Sequence, residues 1–253
     1  DEAFQRFRPD AEFEKFCEEH NWWLRDYADF IAIKKHYKNR SWRNWPDLVR
    51  DRDPERLAKL REKLACDIAR EKFLQYQFYR QWFALKKYAN QKGVQIIGDI
   101  PIYVAYESAD LWSHPKVFQL TKTKRPAAVA GVPPDLFSET GQLWGNPLFD
   151  WDYLKSTGYD WWIKRLKHNL ALFDSARIDH FRGFIGYWRV PARAGTAIDG
   201  KWIEGPKEDF FNVFFEHCPF PPIIVEDLGY ITADVREFIQ RYDLPCMKVL
   251  MFA

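Results

Sequence analysis

At 253 residues, 47% of them hydrophobic, the chain is long enough to bury a substantial core and has an ordinary globular composition. Its 38 Lys and Arg against 36 Asp and Glu leave a net charge of +2, which gives no electrostatic case for nucleic acid or an anionic membrane. No apolar run approaches the roughly 20 residues of a transmembrane helix, and the first residues lack a signal peptide's apolar core. Cys17, Cys66, Cys218 and Cys246 are widely spaced, form no CxxC pair and suit reduced thiols in a cytoplasm. The unusual quantity is aromatic: 12 Trp, 12 Tyr and 21 Phe make up 18% of the chain. Trp112, Trp144 and Trp202 lie outside periodic segments, where a flat apolar face with one polar handle would suit a sugar ring.

The first ninety or so residues read as helix. Phe13, Phe16 and His20 recur at helical spacing, and Trp22, Trp23, Tyr27, Phe30 and Ile31 extend the pattern. Asp53-Pro54-Glu55 has the form of an N-cap followed by proline at the first helical position. From there Leu57, Leu60, Leu64 and Ile68, then Phe78, Trp82, Leu85 and Ala89, keep the period up to a stop at Gly93. One long helix and two in series fit equally well.

The period then changes. Val94–Asp99, Leu172–Asp179 and Ile223–Glu226 are short apolar runs ending in a carboxylate, and Cys246–Phe252 is a fourth apolar run. Helical patterns separate them at Trp161 to Leu170, Phe210 to Phe215 and Thr232 to Tyr242, with Thr232 as cap. Strands alternating with helices imply βαβ units and a parallel sheet. Right-handed crossovers put the strand ends on one side. Asp99, Asp179 and Glu226 are therefore expected at one carboxyl rim, where active sites of (β/α)₈ barrels lie. The stretch between Asp99 and Asp179 exceeds one compact crossover. It includes "GVPPDLFSETGQLWGNPLFDWDYL" (131–154), read as a substrate-binding loop over that rim, the alternative being an aromatic-anchored surface loop.

The run "SARIDHFRGF" (175–184) starts like a buried strand and ends in charges. Arg177 could simply neutralise Asp179 in a structural ion pair, yet three acids at three strand ends favour a site. Asp179, two residues from Arg177 and on the same strand face, is expected to stay ionised. Glu226, at the end of an apolar strand, is expected to hold its proton through desolvation, with Asp227 as a complication. Two carboxyls tuned apart suit glycosidic chemistry.

Together "IIGDIPIYVAYESADLWSHPKVF", "GVPPDLFSETGQLWGNPLFDW", "ARIDHFRGF" and "IIVEDLG", in this order, resemble the amylomaltases, the 4-α-glucanotransferases of glycoside hydrolase family 77. The resemblance implies an α/β fold: a partial (β/α)₈ barrel, approximately strands three to six, over residues 93–253, preceded by a helical insertion region over 1–92. It implies Asp179 as nucleophile and Glu226 as general acid/base. Arg177 would orient Asp179, His180 would bind sugar hydroxyls, and Asp99 would support the donor side. Asp135, Phe137, Gln142, Trp144 and Asn146 match the loop that covers the glucan; Leu136 stands where family members carry Tyr. The implied activity moves a segment of an α-1,4-glucan to the 4-hydroxyl of an acceptor by retaining double displacement. Partners would be maltooligosaccharides and α-1,4-glucans, with no nucleic acid, membrane, metal or organic cofactor. The alternatives are an α-amylase-like hydrolase using the same carboxylates and an inactive glucan-binding fragment. The resemblance also places two barrel strands before residue 1, two after residue 253, and a third carboxylate, in an "HDN"-like motif, downstream. On that expectation the 253-residue chain alone is inactive or nearly so.

Overall fold

The computed structural model describes residues 2–136 and 138–252. The chain forms two compact units, one running to Tyr88 with Glu107–Pro115 added, the other comprising Ala89–Tyr106 and the residues from Lys116 onward.

The first unit is helical. The helix Ala11–Glu19 is capped by Asp10, whose carboxylate accepts from Phe13 N at 2.8 Å. A turn at His20 separates it from Asn21–His36. Asp53 caps the next helix through Arg56 N at 2.9 Å, with Pro54 in the first helical position. That helix ends at Lys63 and another runs from Ala65 to Gln91, so the long periodic segment is two helices in series. The longer one buries Ile68, and packs the buried rings of Phe73, Tyr76 and Tyr79 against Phe7, Phe13 and Phe16. Phe78 and Leu85, which carry the same period in sequence, are instead exposed. Trp112 is not a sugar platform. It is wholly buried, its indole N–H donates to Val49 O at 3.2 Å, and the Arg52 guanidinium lies 4.3 Å from its ring. A wide indole with a partner for its N–H is cheaper to bury than to expose. The buried acids Asp26 and Asp29 meet Arg52 and Arg61 at 2.7 and 2.6 Å, as buried charge requires.

Among the described residues the second unit contains seven strands: β1 (Ile97–Ile100), β2 (Ala128–Val132), β3 (Gln142–Pro147), β4 (Ser175–Ile178), β5 (Gly186–Pro191), β6 (Lys201–Glu204) and β7 (Ile223–Val225). β1, β4 and β7 form a parallel sheet in the order β1-β4-β7. Helices Asp160–Leu172 and Lys207–His217 precede β4 and β7, and Thr232 is the N-cap of a helix Ala233–Arg241. In β4 the alternation is clean. Ala176 and Ile178 are fully buried while Arg177 takes the other face. The fully buried rings of Trp162, Phe181, Phe184, Phe210 and Phe211 form the aromatic core of this unit.

β2, β3, β5 and β6 form an antiparallel sheet, order β3-β2-β5-β6, that the sequence pattern did not suggest. The segment 131–154, expected to be mostly irregular, contributes the end of β2, all of β3 and most of a short helix Trp151–Ser156. Conversely, Cys246–Phe252 does not form a fourth strand. Cys246 makes a single parallel bridge to Val225, and Leu250–Phe252 closes as a 3₁₀ turn with Leu250 and Met251 exposed. Apolar content alone does not make a strand; a continued ladder does, and this one stops after one pair. The four cysteines are free, and no helix among the described residues is long and apolar enough to cross a membrane.

Candidate active site

The three acids converge because the parallel ladder brings them level. Asp99 stands in register with Arg177, and Ile178 with Val225. Beyond the strands the ladder continues: Asp179 N donates to Ile100 O and Glu226 N to Ile178 O, both at 3.0 Å. Asp179 and Glu226 are thus the first residues past adjacent strand tips. Asp99 differs slightly from expectation: it lies within β1, one residue before the strand's end.

Arg177 explains the charges in the 175–184 run. Its Nη1 donates to Asp99 Oδ1 at 2.6 Å, its Nη2 to Asp179 Oδ1 at 2.5 Å, and its Nε to the thioether of Met247 at 2.9 Å. One guanidinium fork therefore holds two carboxylates on the outer face of the sheet, a geometry that Lys could not reproduce. The Asp179 side chain remains 43% exposed and Asp99 59%, against 25% for Arg177. The ion pair is real, but both acids also face solvent, as a substrate-facing group must.

Glu226 is different in kind. It is 8% exposed. Burial lifts its carboxyl above the ordinary value, hydrogen bonding from Leu228 N pulls the other way, and the nearby Asp179 charge adds to the rise. Its Oε2 accepts from His180 N at 2.9 Å and its Oε1 from Leu228 N at 2.6 Å. One open carboxyl group paired with a cation and one enclosed carboxyl whose proton affinity burial raises is a division suited to nucleophile and proton donor.

His180 follows Asp179 in a left-handed conformation (φ 48°) that aims its N–H at Glu226. Its imidazole is buried, and desolvation, with the charge of Arg182, pushes it down to about 4. The Trp144 ring on β3 meets it edge-on, centroids 4.7 Å apart. Gln142 Oε1 accepts from the Trp144 indole at 3.0 Å, and Asn146 Nδ2 donates to Val104 O at 3.0 Å. These contacts bring Trp144 and Gln142 to the carboxylate rim and fix β3 through Asn146. Asp135 closes a local turn, accepting from Ser138 N at 2.8 Å, and Leu136 is fully exposed. Phe137 lies outside the described residues. Trp202 is partly exposed, but the Arg182 guanidinium sits 3.9 Å from its ring centroid.

Set against known proteins, this arrangement has relatives. A family model described as 4-alpha-glucanotransferase, of glycoside hydrolase family 77, matches residues 1–253. The chain belongs to the 4-alpha-glucanotransferase family. It is 48% identical over 99% of its length to a 4-alpha-glucanotransferase from Clostridium butyricum, covering 52% of that protein. With the 4-alpha-glucanotransferase of Thermus thermophilus the identity is 46%, over all of this chain and 52% of the relative. An amylomaltase from Streptococcus agalactiae, solved in complex with acarbose, superposes with a TM-score of 0.91 at 43% identity, over 95% of this chain and 49% of that one. The chain thus spans about half the length of the curated family members it matches.

Reading the residue types singled out Asp179, Glu226 and Arg177, which the structure brings to neighbouring strand tips. It missed what supports them. Arg182 and Tyr230 stand inside or next to the same runs, but their partners are backbone carbonyls and ring faces contributed by other segments, and no sequence period records such contacts.

Proposed function

We propose that this chain carries the nucleophile and the acid/base of a 4-α-glucanotransferase, which transfers a segment of an α-1,4-glucan to the 4-hydroxyl of another glucose or oligosaccharide. The observation that carries the reading is the pairing of solvent-facing Asp179, held by Arg177, with enclosed Glu226 at adjacent strand tips. In the proposed cycle Glu226 gives its proton to the glycosidic oxygen while Asp179 attacks the anomeric carbon. The C–O bond breaks, the reducing-end fragment departs, and a covalent glucosyl–Asp179 ester remains. Glu226, now a carboxylate, takes the proton of an incoming 4-hydroxyl, whose oxygen displaces Asp179. Two displacements retain the α configuration.

In the same reading Arg177 and Asp99 shape the donor side, and His180 offers hydroxyl contacts as a neutral ring. Trp144, Gln142, Asn146, Asp135 and Phe137 belong to a cover that keeps water from the ester. The β1-β4-β7 sheet is read as part of a (β/α)₈ barrel, and residues 1–92 as a helical insertion preceding the barrel region 93–253. Acarbose, the ligand of the Streptococcus amylomaltase complex, is expected to bind across the same carboxylates. The test is maltotriose disproportionation by the protein expressed with any sequence that flanks these residues in its gene. Longer oligosaccharides should accumulate alongside glucose. Asp179→Asn and Glu226→Gln should each lower kcat/KM on the order of 10⁴-fold while the fold is kept. A wild-type enzyme that releases glucose steadily in the presence of ample acceptor sugar would point to a hydrolase instead.

A further inference from the structure

Arg182 is the one arginine of the second unit that is nearly inaccessible to solvent, at 5% exposure, and among the described residues no carboxylate forms an ion pair with it. A buried guanidinium without a counter-ion is costly unless its donors and faces are occupied. Here they are. Its Nη1 donates to Tyr230 O, its Nε lies 3.4 Å from Gly186 O, and its plane covers the Trp202 ring at 3.9 Å, with the Tyr230 ring 5.7 Å away. Trp202 and Tyr230 are themselves stacked, 6.0 Å apart. The acid Asp234 supplies the nearby negative charge.

The chain positions of these partners give the arrangement its meaning. Arg182 belongs to the turn that starts at His180, directly after Asp179. Tyr230 closes the loop that starts at Glu226, and within that loop Leu228 N grips the Glu226 carboxylate. The two segments are tied twice, once by His180 N to Glu226 Oε2 and once by Arg182 to Tyr230 O. The first tie is made by Glu226 itself, so it cannot independently hold that side chain in place. The second can.

We propose that Arg182 is a positioning residue for the acid/base: by clamping the carbonyl of Tyr230 and stacking on Trp202, it holds the 226–230 loop against the Asp179–His180 turn. It touches neither substrate nor reacting atoms. The inference rests on the role given to Glu226 above, but its physical content, a clamp on that loop, can be read without any sugar present.

The variant is Arg182→Met, which keeps length and apolar stem but removes donors, plane and charge. Released from the clamp, the loop admits water to Glu226. The alkaline limb of kcat/KM for maltotriose then moves to lower pH, whereas loss of a positive charge alone would move it higher. Of the groups near Glu226, Asp179 and Arg177 are untouched by the substitution; the His180 imidazole loses the Arg182 charge but stays buried, which is the larger cause of its lowered value. The expectation is a kcat about 10- to 100-fold lower, as for misplaced catalytic groups generally, with KM within about twofold. Hydrogen exchange of the His180 and Leu228 amides, both of which donate to Glu226, should speed up about tenfold in the variant without substrate. Arg182→Lys, which keeps a charge in the turn but loses the fork and the stack, should fall between and serves if the Met variant does not fold. Unchanged protection of the two amides together with an unmoved alkaline limb would overturn the clamp. Faster exchange in a protein whose wild type fails to disproportionate maltotriose would support the clamp and instead sink the catalytic reading.

Discussion

The two sheets of the second unit differ in what they do and in how they are built. In the parallel β1-β4-β7 sheet the candidate site is a matter of charge: an acid, an arginine and two more acids stand at or just beyond neighbouring positions of a ladder whose inner face is apolar. In the antiparallel β3-β2-β5-β6 sheet it is a matter of shape. β2 and β3 approach closely enough that glycine is required, and β3 presents Trp144 to His180. The difference teaches that one half of the site is fixed by electrostatics and the other by packing. The two halves should therefore fail in different ways.

Beyond the two proposed catalytic carboxyls themselves, the largest expected effect lies in the parallel sheet. Arg177→Met removes the fork between Asp99 and Asp179 and leaves two carboxylates on one face with no cation between them. Removing one preorganised electrostatic group commonly costs about 10² to 10³ in rate, and the loss in maltotriose disproportionation should fall at about 10²-fold. Arg177→Lys should recover only part of it, because one ammonium cannot present the planar fork to both acids. Thermal stability should change little, since both carboxylates are substantially solvated. A variant with normal turnover and a collapsed melting temperature would mean that the arginine serves the fold and not the site.

The contrast with sequence reading runs along the same line. The parallel strands were legible because each is a short apolar run with a helix of clear period on the way to the next. The carboxylates at their ends were legible because water-excluding strands seldom end in acids by chance. Asp53-Pro54 marked its helix for the similar reason that caps are local chemistry, whereas Thr232 takes the N-cap position of its helix without a side-chain cap hydrogen bond. The antiparallel sheet gave no such signal. β3, "QLWGNP", has no alternation and is mostly exposed. β2, "AVAGV", is small and almost continuously buried. Neither matches the pattern of a half-buried strand. Trp112 was misread because an isolated tryptophan looks the same in sequence whether its N–H meets a carbonyl in the core or a sugar outside. Arg182 was passed over because its partners are main-chain carbonyls and aromatic faces, which any sequence could supply.

A second effect sits where the sheets meet, at His180. Its imidazole is pushed down to about 4 by burial and by Arg182, whereas in the unfolded chain it titrates near 6.5. Between those values the unfolded state binds more protons than the native one, so stability rises with pH. The contribution is fully present above about 6.5 and is lost as pH falls through about 4. It amounts to on the order of 3 kcal/mol at most. His180→Asn keeps a residue that tolerates the left-handed backbone but does not titrate. The difference in unfolding free energy between wild type and variant should shrink as pH is lowered from 7 to 4. A constant offset would show that the buried ring protonates as easily as a free one.

The smallest effect belongs to shape, and two glycines separate its causes. At Gly131 a Cβ would lie 2.4 Å from Gln142 O, a backbone atom of the paired strand, so alanine must push β2 and β3 apart. At Gly145 a Cβ would meet nothing within 4 Å, but the backbone is left-handed at φ 79°. Gly131→Ala is therefore an overpacking substitution, costing about 1–3 kcal/mol. Gly145→Ala meets only the intrinsic penalty of that conformation, roughly 1–2 kcal/mol. The first should also move Trp144 away from His180 and raise KM for maltotriose, because the strand itself is displaced. The second should lower the melting temperature with KM unchanged. If both raise KM alike, the close contact at Gly131 is not what positions β3, and the cover over the carboxylates is held by the turn beyond it.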